Sequence, residues 1–202
     1  MPSDLSTPNR RVPQQARGER CVARLLDTAA SVLAERGYEA ATMTEIAQRA
    51  GTSIGAVYQY FPNKEALVRA LRSKYGAEME IRWTVLEQAS TVSSTTQLAH
   101  QFVDVMVQFM EEHPAYIPLL DAPMSIRRDQ QSRDRLRTRL ATVFRSRKPE
   151  LSQADAVRMA NVSLQIVKSL NPLYAETKPK ERPQVIREYR TVLSEYFEAN
   201  LS

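Results

Sequence analysis

The sequence predicts an all-α protein of about nine helices, and three observations carry that prediction. Apolar residues recur every three or four positions along most of the chain, the spacing of one helix face. Residues of high β-propensity nowhere gather into the alternating runs that a sandwich or barrel requires. Glycine occurs only five times in 202 residues, at Gly18, Gly37, Gly51, Gly55 and Gly76. A composition of 43% hydrophobic and 25% charged residues suits a globular chain and excludes wholesale disorder.

Residues 1–17 contain Pro2, Pro8 and Pro13 with Arg10, Arg11 and Arg17 and show no hydrophobic periodicity. They read as a mobile basic arm, and without an apolar segment they are not expected to be a secretory signal. From residue 20, Val22, Leu25, Leu26, Ala29, Val32 and Leu33 share a helical face up to Gly37, a stop signal. Thr42 and Glu45 have capping-box spacing, each able to satisfy an orphan amide at a helix start. That helix turns Ile46, Ala47 and Ala50 inward and halts at Gly51 after about two turns. A second short helix over 54–60 ends at Phe61 and Pro62. Asn63 then caps a long helix with Leu67, Leu71, Tyr75 and Met79 on one stripe.

Residues 98–110 are apolar nearly all round, which predicts a buried central helix. Pro114, Pro118 and Pro123 break the following region into short pieces. Leu136, Leu140, Val143 and Phe144 mark a helix that ends before Pro149. Ser152 starts another, apolar on two faces: Met159, Val162, Ile166 and Leu170 on one, Val157, Ala160, Leu164 and Val167 on the other. The last helix begins near Pro183, which suits a first helical position. It carries Val185, Ile186, Tyr189, Val192, Leu193, Tyr196 and Phe197 on one side. No run of 18 apolar residues exists, so no membrane span is expected. The single cysteine, Cys21, cannot form an internal disulfide, and a cytoplasmic location fits.

The chain carries a formal net charge of +5, with 11 Lys/Arg against 7 Asp/Glu in residues 1–75 and 17 against 16 thereafter. The excess therefore lies in the first third, where a polyanion would be met. Two short helices joined by Gly51, Thr52 and Ser53, braced by a longer preceding helix, describe a helix-turn-helix over residues 18–66. In such a unit the second helix enters the major groove by its N-terminal end, where free amides favour phosphate. Thr52 and Ser53 supply hydroxyls there, and Gly55 lets the backbone come close. Tyr58, Tyr60 and Lys64 suit phosphates, Gln59 suits adenine, and Ile54 or Ala56 suits a thymine methyl. Thr42 and Thr44, at the start of the first helix of the pair, complete the candidate DNA contacts.

The runs GYEAATMTEIA at 37–47 and AGTSIGAVYQYFPNKEAL at 50–67 resemble the TetR family of bacterial transcriptional regulators. The resemblance covers about residues 20–67, and the length and helical character of the remainder also fit. Thr52 stands where valine is usual, and Ile54 where a polar side chain is common. The resemblance implies a homodimer that binds palindromic double-stranded DNA, with residues 67–202 holding an inducer pocket and the dimer contacts. It implies that the helix beginning at about Lys64 links the two, ligand favouring a state misaligned for successive major grooves. The expected function is a ligand-released repressor. The alternative is an all-α small-molecule-binding or interaction protein that has lost operator binding.

Met79, Trp83, Phe102, Met106, Phe109, Met110, Tyr116 and Phe144 are the candidate pocket wall, suited to an apolar or aromatic ligand, although each is equally fit for plain core. Met159, Val162, Ile166, Leu170, Tyr189, Leu193 and Tyr196 are the candidate dimer face, since the helix from Ser152 has more apolar surface than one monomer needs. Residues 124–148 hold nine Lys/Arg against two Asp. Because Arg127, Arg128, Arg133, Arg135, Arg137, Arg139, Arg145 and Arg147 surround the helix, a solvated helix is expected over an anion site. Gly51 to Gly55 also spell G-x-S-x-G, but a capped helix precedes them where a hydrolase elbow needs a strand. His100 and His113 lack paired ligand spacing, so no metal site is expected. Nor is there an acid–base or nucleophile constellation, and neither enzyme activity nor a cofactor is expected.

Overall fold

A computed structural model describes residues 11–89, 93–123 and 130–201. They form nine α-helices and no strand among the described residues: α1 (Arg11–Ala40), α2 (Met43–Arg49), α3 (Ile54–Tyr60), α4 (Lys64–Ala89), α5 (Thr95–Glu112), α6 (Tyr116–Leu120), α7 (Gln130–Arg147), α8 (Gln153–Glu176) and α9 (Arg182–Leu201). The first helix starts earlier than the sequence suggests. Residues 11–17, expected within the arm, already belong to α1. Pro13 does not prevent this, because the first turn of a helix has no internal partner for its N–H groups. Arg10 and the rest of the expected arm lie outside the described residues.

Local signals set the other boundaries. Gly37 leaves the helical region at φ 73° and bends the end of α1, and Gly51 turns the chain at φ 63°. Both sit in the left-handed region where a Cβ would cost roughly 1–2 kcal/mol. The box at Thr42 is only half made. Thr42 Oγ1 accepts from the Glu45 amide at 3.2 Å, while the Glu45 carboxylate turns to Arg49 Nη2 at 2.7 Å. Asn63 Oδ1 accepts from the Ala66 amide at 2.8 Å and starts α4. A full capping box opens α5, with Ser94 and Gln97 each accepting from the other's amide. Helix α8 runs through Pro172 to Glu176, where periodicity alone gave no endpoint.

Helix α4 is the spine. It packs on α1 near its start and on α5, α6 and α7 further along. The boundary expected between residues 66 and 67 therefore falls inside a continuous helix. Leu67, Val68 and Leu71 are fully buried near its start, and Tyr75, Met79, Trp83 and Leu86 continue the buried stripe. Helix α5 lies most closely against α9, and α7 against α8. The centre of the second half is an aromatic cluster. Phe102 sits 5.1 Å from the Trp83 ring, 6.1 Å from Phe144 and 5.3 Å from Phe197, and all three phenylalanines are fully buried. No helix among the described residues is long and apolar enough to cross a membrane.

Candidate DNA interface and ligand cavity

Helices α2 and α3 are joined by the Gly51 turn, and the core of this unit is Ile46, Ala47, Ala50 and Val57, all buried. Burial of one side leaves the other side of α3 to solvent. Ile54, Gly55, Tyr58, Gln59 and Tyr60 are exposed, with Tyr58 half accessible, while Ala56 is half-buried. Ser53 Oγ accepts from the Ala56 amide at 3.2 Å and so caps α3. A hydroxyl that accepts in a cap keeps its own O–H to donate, so Ser53 and the exposed Thr42 still present donors outward. Thr44 is exposed beside Thr42, and Thr52 is half-buried in the turn. Eight of the eleven candidate DNA contacts are thus exposed on α2, the turn and α3, with Thr52 and Ala56 half-buried among them.

Lys64 differs. Its ammonium donates to Tyr38 O at 2.8 Å, Ala41 O at 3.1 Å and Glu39 O at 3.3 Å, and lies 4.4 Å from the Tyr38 ring centre. Its three N–H groups hold the carbonyls at the end of α1, where a cation also suits the helix dipole. The ammonium expected to meet a phosphate thus forms an internal clamp within the chain. Arg49 is likewise engaged, with Glu35 and Glu45 both at 2.7 Å. Arg17, Arg20 and Arg24 are exposed on one face of α1 at i, i+3 and i+7. They lie near α3, because a Cβ built on Gly18 falls 3.8 Å from Tyr60 Oη. Their spacing was visible in the sequence but was obscured by assigning Arg17 to the arm.

Gly55 offers a test of close approach. Its φ is not positive, and an added Cβ would meet only Ser53 Oγ at 4.0 Å. Within the chain, Gly55→Ala should therefore be neutral or stabilising by about 0.5–1 kcal/mol. If the backbone of α3 comes close to DNA, the same change should lower duplex affinity roughly tenfold, about 1.4 kcal/mol. Thermal denaturation and fluorescence anisotropy of the one variant read both quantities, and unchanged DNA affinity would remove Gly55 from the interface.

The second half forms a part-enclosed cavity of about 540 Å³ lined by α4, α5, α6, α7 and α8. Four of the eight expected wall residues line it: Met79, Trp83, Met106 and Tyr116. Phe102 and Phe144 do not, because they are buried in the aromatic cluster with Phe197. Phe109 is packed against Tyr75, His113 and Tyr116, and Met110 is buried away from the cavity. Helical periodicity finds buried faces but cannot separate a packed face from a hollow one.

The unexpected part of the wall is polar. Arg72, Arg133, Arg137 and Lys168 all line the cavity. Arg72 holds α6 by donating to the Leu119 and Ala122 carbonyls. Asn171, nearly fully buried, also lines it, and its Oδ1 has no hydrogen-bond partner among the described residues. The described part of the arginine-rich segment is thus solvated on one side only: Arg135 and Arg145 are exposed, while Arg133, Arg137, Arg139 and Arg147 are half-buried. Arg139 binds Glu87 Oε2 at 2.9 Å and Thr84 Oγ1 at 2.6 Å, and Arg147 donates to Ser93 O at 2.6 Å. Helix α7 packs through the buried Leu140, Ala141, Val143 and Phe144, and the arginine stems flanking that face carry Arg139 and Arg147 to partners on neighbouring segments. Arg127 and Arg128 lie outside the described residues.

A second cavity of about 460 Å³ lies where α1, α4 and the end of α5 meet. Lys74 reaches Asp27 of α1 at 2.7 Å there, and Tyr75 lines both cavities. Burial pushes the Tyr75 phenol up to about 12, so it stays a donor. His113 rests on the Tyr75 and Phe109 rings, 4.5 and 4.4 Å between centres. Its Nε2 is 3.0 Å from Glu78 Oε2, within ion-pair range but not aligned as a hydrogen bond. Burial holds His113 below the usual histidine value, opposed by Glu78 and Glu112 and aided by Arg82 and Lys74. The unfolded chain then takes up this proton first, so stability from a neutral His113 is lost as pH falls. Urea midpoints should drop as pH falls below the ordinary histidine value of about 6.5, and less so for His113→Phe; parallel curves would count against it.

Among the candidate dimer residues, Met159, Leu170 and Leu193 are buried within the single chain and cannot face a partner. Their stripes turn into the contacts of α8 and α9 with the rest of the fold. Val162 stays 38% exposed, and Ile166, Tyr189 and Tyr196 are half-buried. Leu173 and Val192, which the stripe reading passed over for this role, are also exposed. Among the described residues no group of three His, Cys, Asp or Glu could hold a metal ion.

The model of bacterial regulatory proteins of the tetR family matches residues 25–71, and that of the tetracyclin repressor-like C-terminal domain matches residues 96–197. The HTH-type transcriptional repressor KstR of Mycolicibacterium smegmatis is 31% identical over 102 residues, 50% of this chain and 47% of that protein. The chain spans less than half the length of the curated relatives it matches first. A TetR-family transcriptional regulator from Pectobacterium atrosepticum shares the fold with a TM-score of 0.68 at 19% identity, covering 92% of this chain and 96% of that one. FadR from Bacillus subtilis, solved in complex with stearoyl-CoA, shares it with a TM-score of 0.60 at 14% identity, covering 89% and 97%.

Proposed function

Since the chain belongs to the TetR family of bacterial regulatory proteins, we propose that it is a repressor that binds palindromic operator DNA as a homodimer and is released by a small molecule. The DNA contacts are Thr42, Thr44, Thr52, Ser53, Ile54, Gly55, Ala56, Tyr58, Gln59 and Tyr60, with Arg17, Arg20 and Arg24 adding phosphate contacts. The working units are residues 18–66 for DNA and 67–202 for ligand and dimer, sharing α4.

One observation carries this reading: the same helix serves both sites. Helix α4 begins at Lys64, clamped to the end of α1, and continues without a break to Arg72, Tyr75, Gly76, Met79 and Trp83 on the cavity wall. A ligand that shifts α4 in the cavity must move α1 and with it the helix-turn-helix. Coupling of this kind is reciprocal, so operator DNA weakens ligand binding by the same factor. Binding of stearoyl-CoA by FadR is a precedent for a ligand within the fold.

Titration of the purified protein against the DNA flanking its own gene, with unrelated duplex as control, tests the reading at physiological salt. The expected result is binding to a palindromic segment two or more decades tighter than to control. No preference on flanking or genome-selected DNA would overturn it in favour of an all-α binding protein without an operator.

The dimer face proposed here is Val162, Ile166, Leu173, Tyr189, Val192 and Tyr196 on α8 and α9. A charge buried there without a partner costs several kcal/mol. Val192→Glu should therefore weaken dimerisation roughly 100-fold, about 2.7 kcal/mol, without loss of helicity. Sedimentation velocity across a dilution series measures it, and an unchanged sedimentation coefficient would place the interface elsewhere.

A further inference from the structure

We infer that the cavity between α4, α7 and α8 takes an amphipathic organic anion, an apolar body ending in a carboxylate or phosphate head. The inference rests on the ligand-responsive reading and narrows its ligand from an apolar or aromatic molecule to an anionic one.

The wall has two chemistries. Met79, Trp83 and Met106 with Leu136 and Leu164 make an apolar section, and a volume of about 540 Å³ is that of a site for one small organic molecule. Arg133 and Arg137 from α7 and Lys168 from α8 make a cationic section, and Arg72 adds a fourth positive charge from α4. Among the described residues no aspartate or glutamate lines the cavity. Arg137 is positioned by Asp134 at 2.7 Å, outside the wall. A guanidinium has five N–H donors in a planar fork, so one carboxylate partner does not exhaust it.

A part-enclosed wall to which several cationic side chains contribute favours an anion over a neutral molecule, whatever other partners those side chains hold. A cationic amphiphile would be repelled. An alcohol would fill the apolar section and leave the cations as they are. Size and apolarity therefore select the body of the ligand, and charge selects the head.

Trp83 is the only tryptophan of the chain and lies on the cavity wall, so its fluorescence reports occupancy. The full chain is titrated with dodecanoate, dodecanoyl-CoA, dodecan-1-ol and dodecylammonium, each below its micelle-forming concentration. The expected result is that at least one anion binds tenfold or more tightly than the alcohol, with the ammonium weakest. Whichever anion is preferred identifies the head as a free carboxylate or a phosphate-bearing thioester. In Arg137→Gln/Lys168→Gln, shown to be folded by circular dichroism, the anion's advantage should disappear while alcohol affinity holds.

Equal binding of alcohol and anions, or tighter binding of the ammonium, overturns the anionic assignment and leaves a ligand-responsive cavity standing. An anion preference that survives the double substitution overturns it too, since the head would then lie elsewhere. A Trp83 signal that responds to none of the four overturns the inference together with the ligand-responsive reading of this cavity. Operator affinity, measured separately, still stands or falls alone.

Discussion

Replacing Phe102 by alanine should lower the unfolding free energy by about 3–5 kcal/mol, the range for emptying a fully buried phenylalanine site. Phe102 is the hub of the aromatic cluster, with Trp83, Phe144 and Phe197 all within 6.1 Å between ring centres. A domain is stable by only about 5–15 kcal/mol in total, so this single change removes a large part. Chemical denaturation monitored by circular dichroism measures it. If the alanine variant does not fold, Phe102→Leu keeps most of the volume and should lose less than about 2 kcal/mol. A loss under about 1 kcal/mol for the alanine variant would mean that Phe102 faces a hollow, as a pocket residue would. The choice between packed core and cavity wall, open at the level of sequence, is thus decided by one stability measurement.

Lys64→Ala should lower stability by about 2 kcal/mol, from loss of three charge-assisted hydrogen bonds and a cation–π contact at a half-buried site. For a chain of this size that is a fall in Tm of about 4–8 °C. The helix-turn-helix should loosen with it, because the clamp joins α4 to the end of α1. A residue that served only as a phosphate contact would behave otherwise: Tm would hold, and the salt dependence of DNA binding would fall by about one ion. Measuring both on the same variant separates the roles, and an unchanged Tm would return Lys64 to the DNA surface.

Local chemistry made much of the first third legible. The hydroxyls of Thr42 and Ser53, the amide of Asn63 and the positive φ of Gly51 act within a few residues of themselves, so spacing along the chain is enough to read them. The exposed side of α3 follows as well, since Val57 alone turns inward and leaves Ile54, Tyr58 and Gln59 outside. Lys64 escaped that logic, because its partners are 23–26 residues away, at the end of α1 and just beyond it.

In the second half the sequence located helices and buried stripes, not what lies between them. The start at Ser152 and the stripes of α5 and α8 are properties of one helix at a time, and these the sequence determined. Whether Met106 or Phe102 meets empty space depends on side chains from α4, α7 and α9 arriving together. Only tertiary packing decides this. The inward arginines show the same limit: Arg133 and Arg137 look solvated on a helical wheel, and the position of α8 and α4 makes them cavity wall. A helix's face is encoded by its own period, but a cavity is a difference between the volumes that several helices supply and the space they enclose.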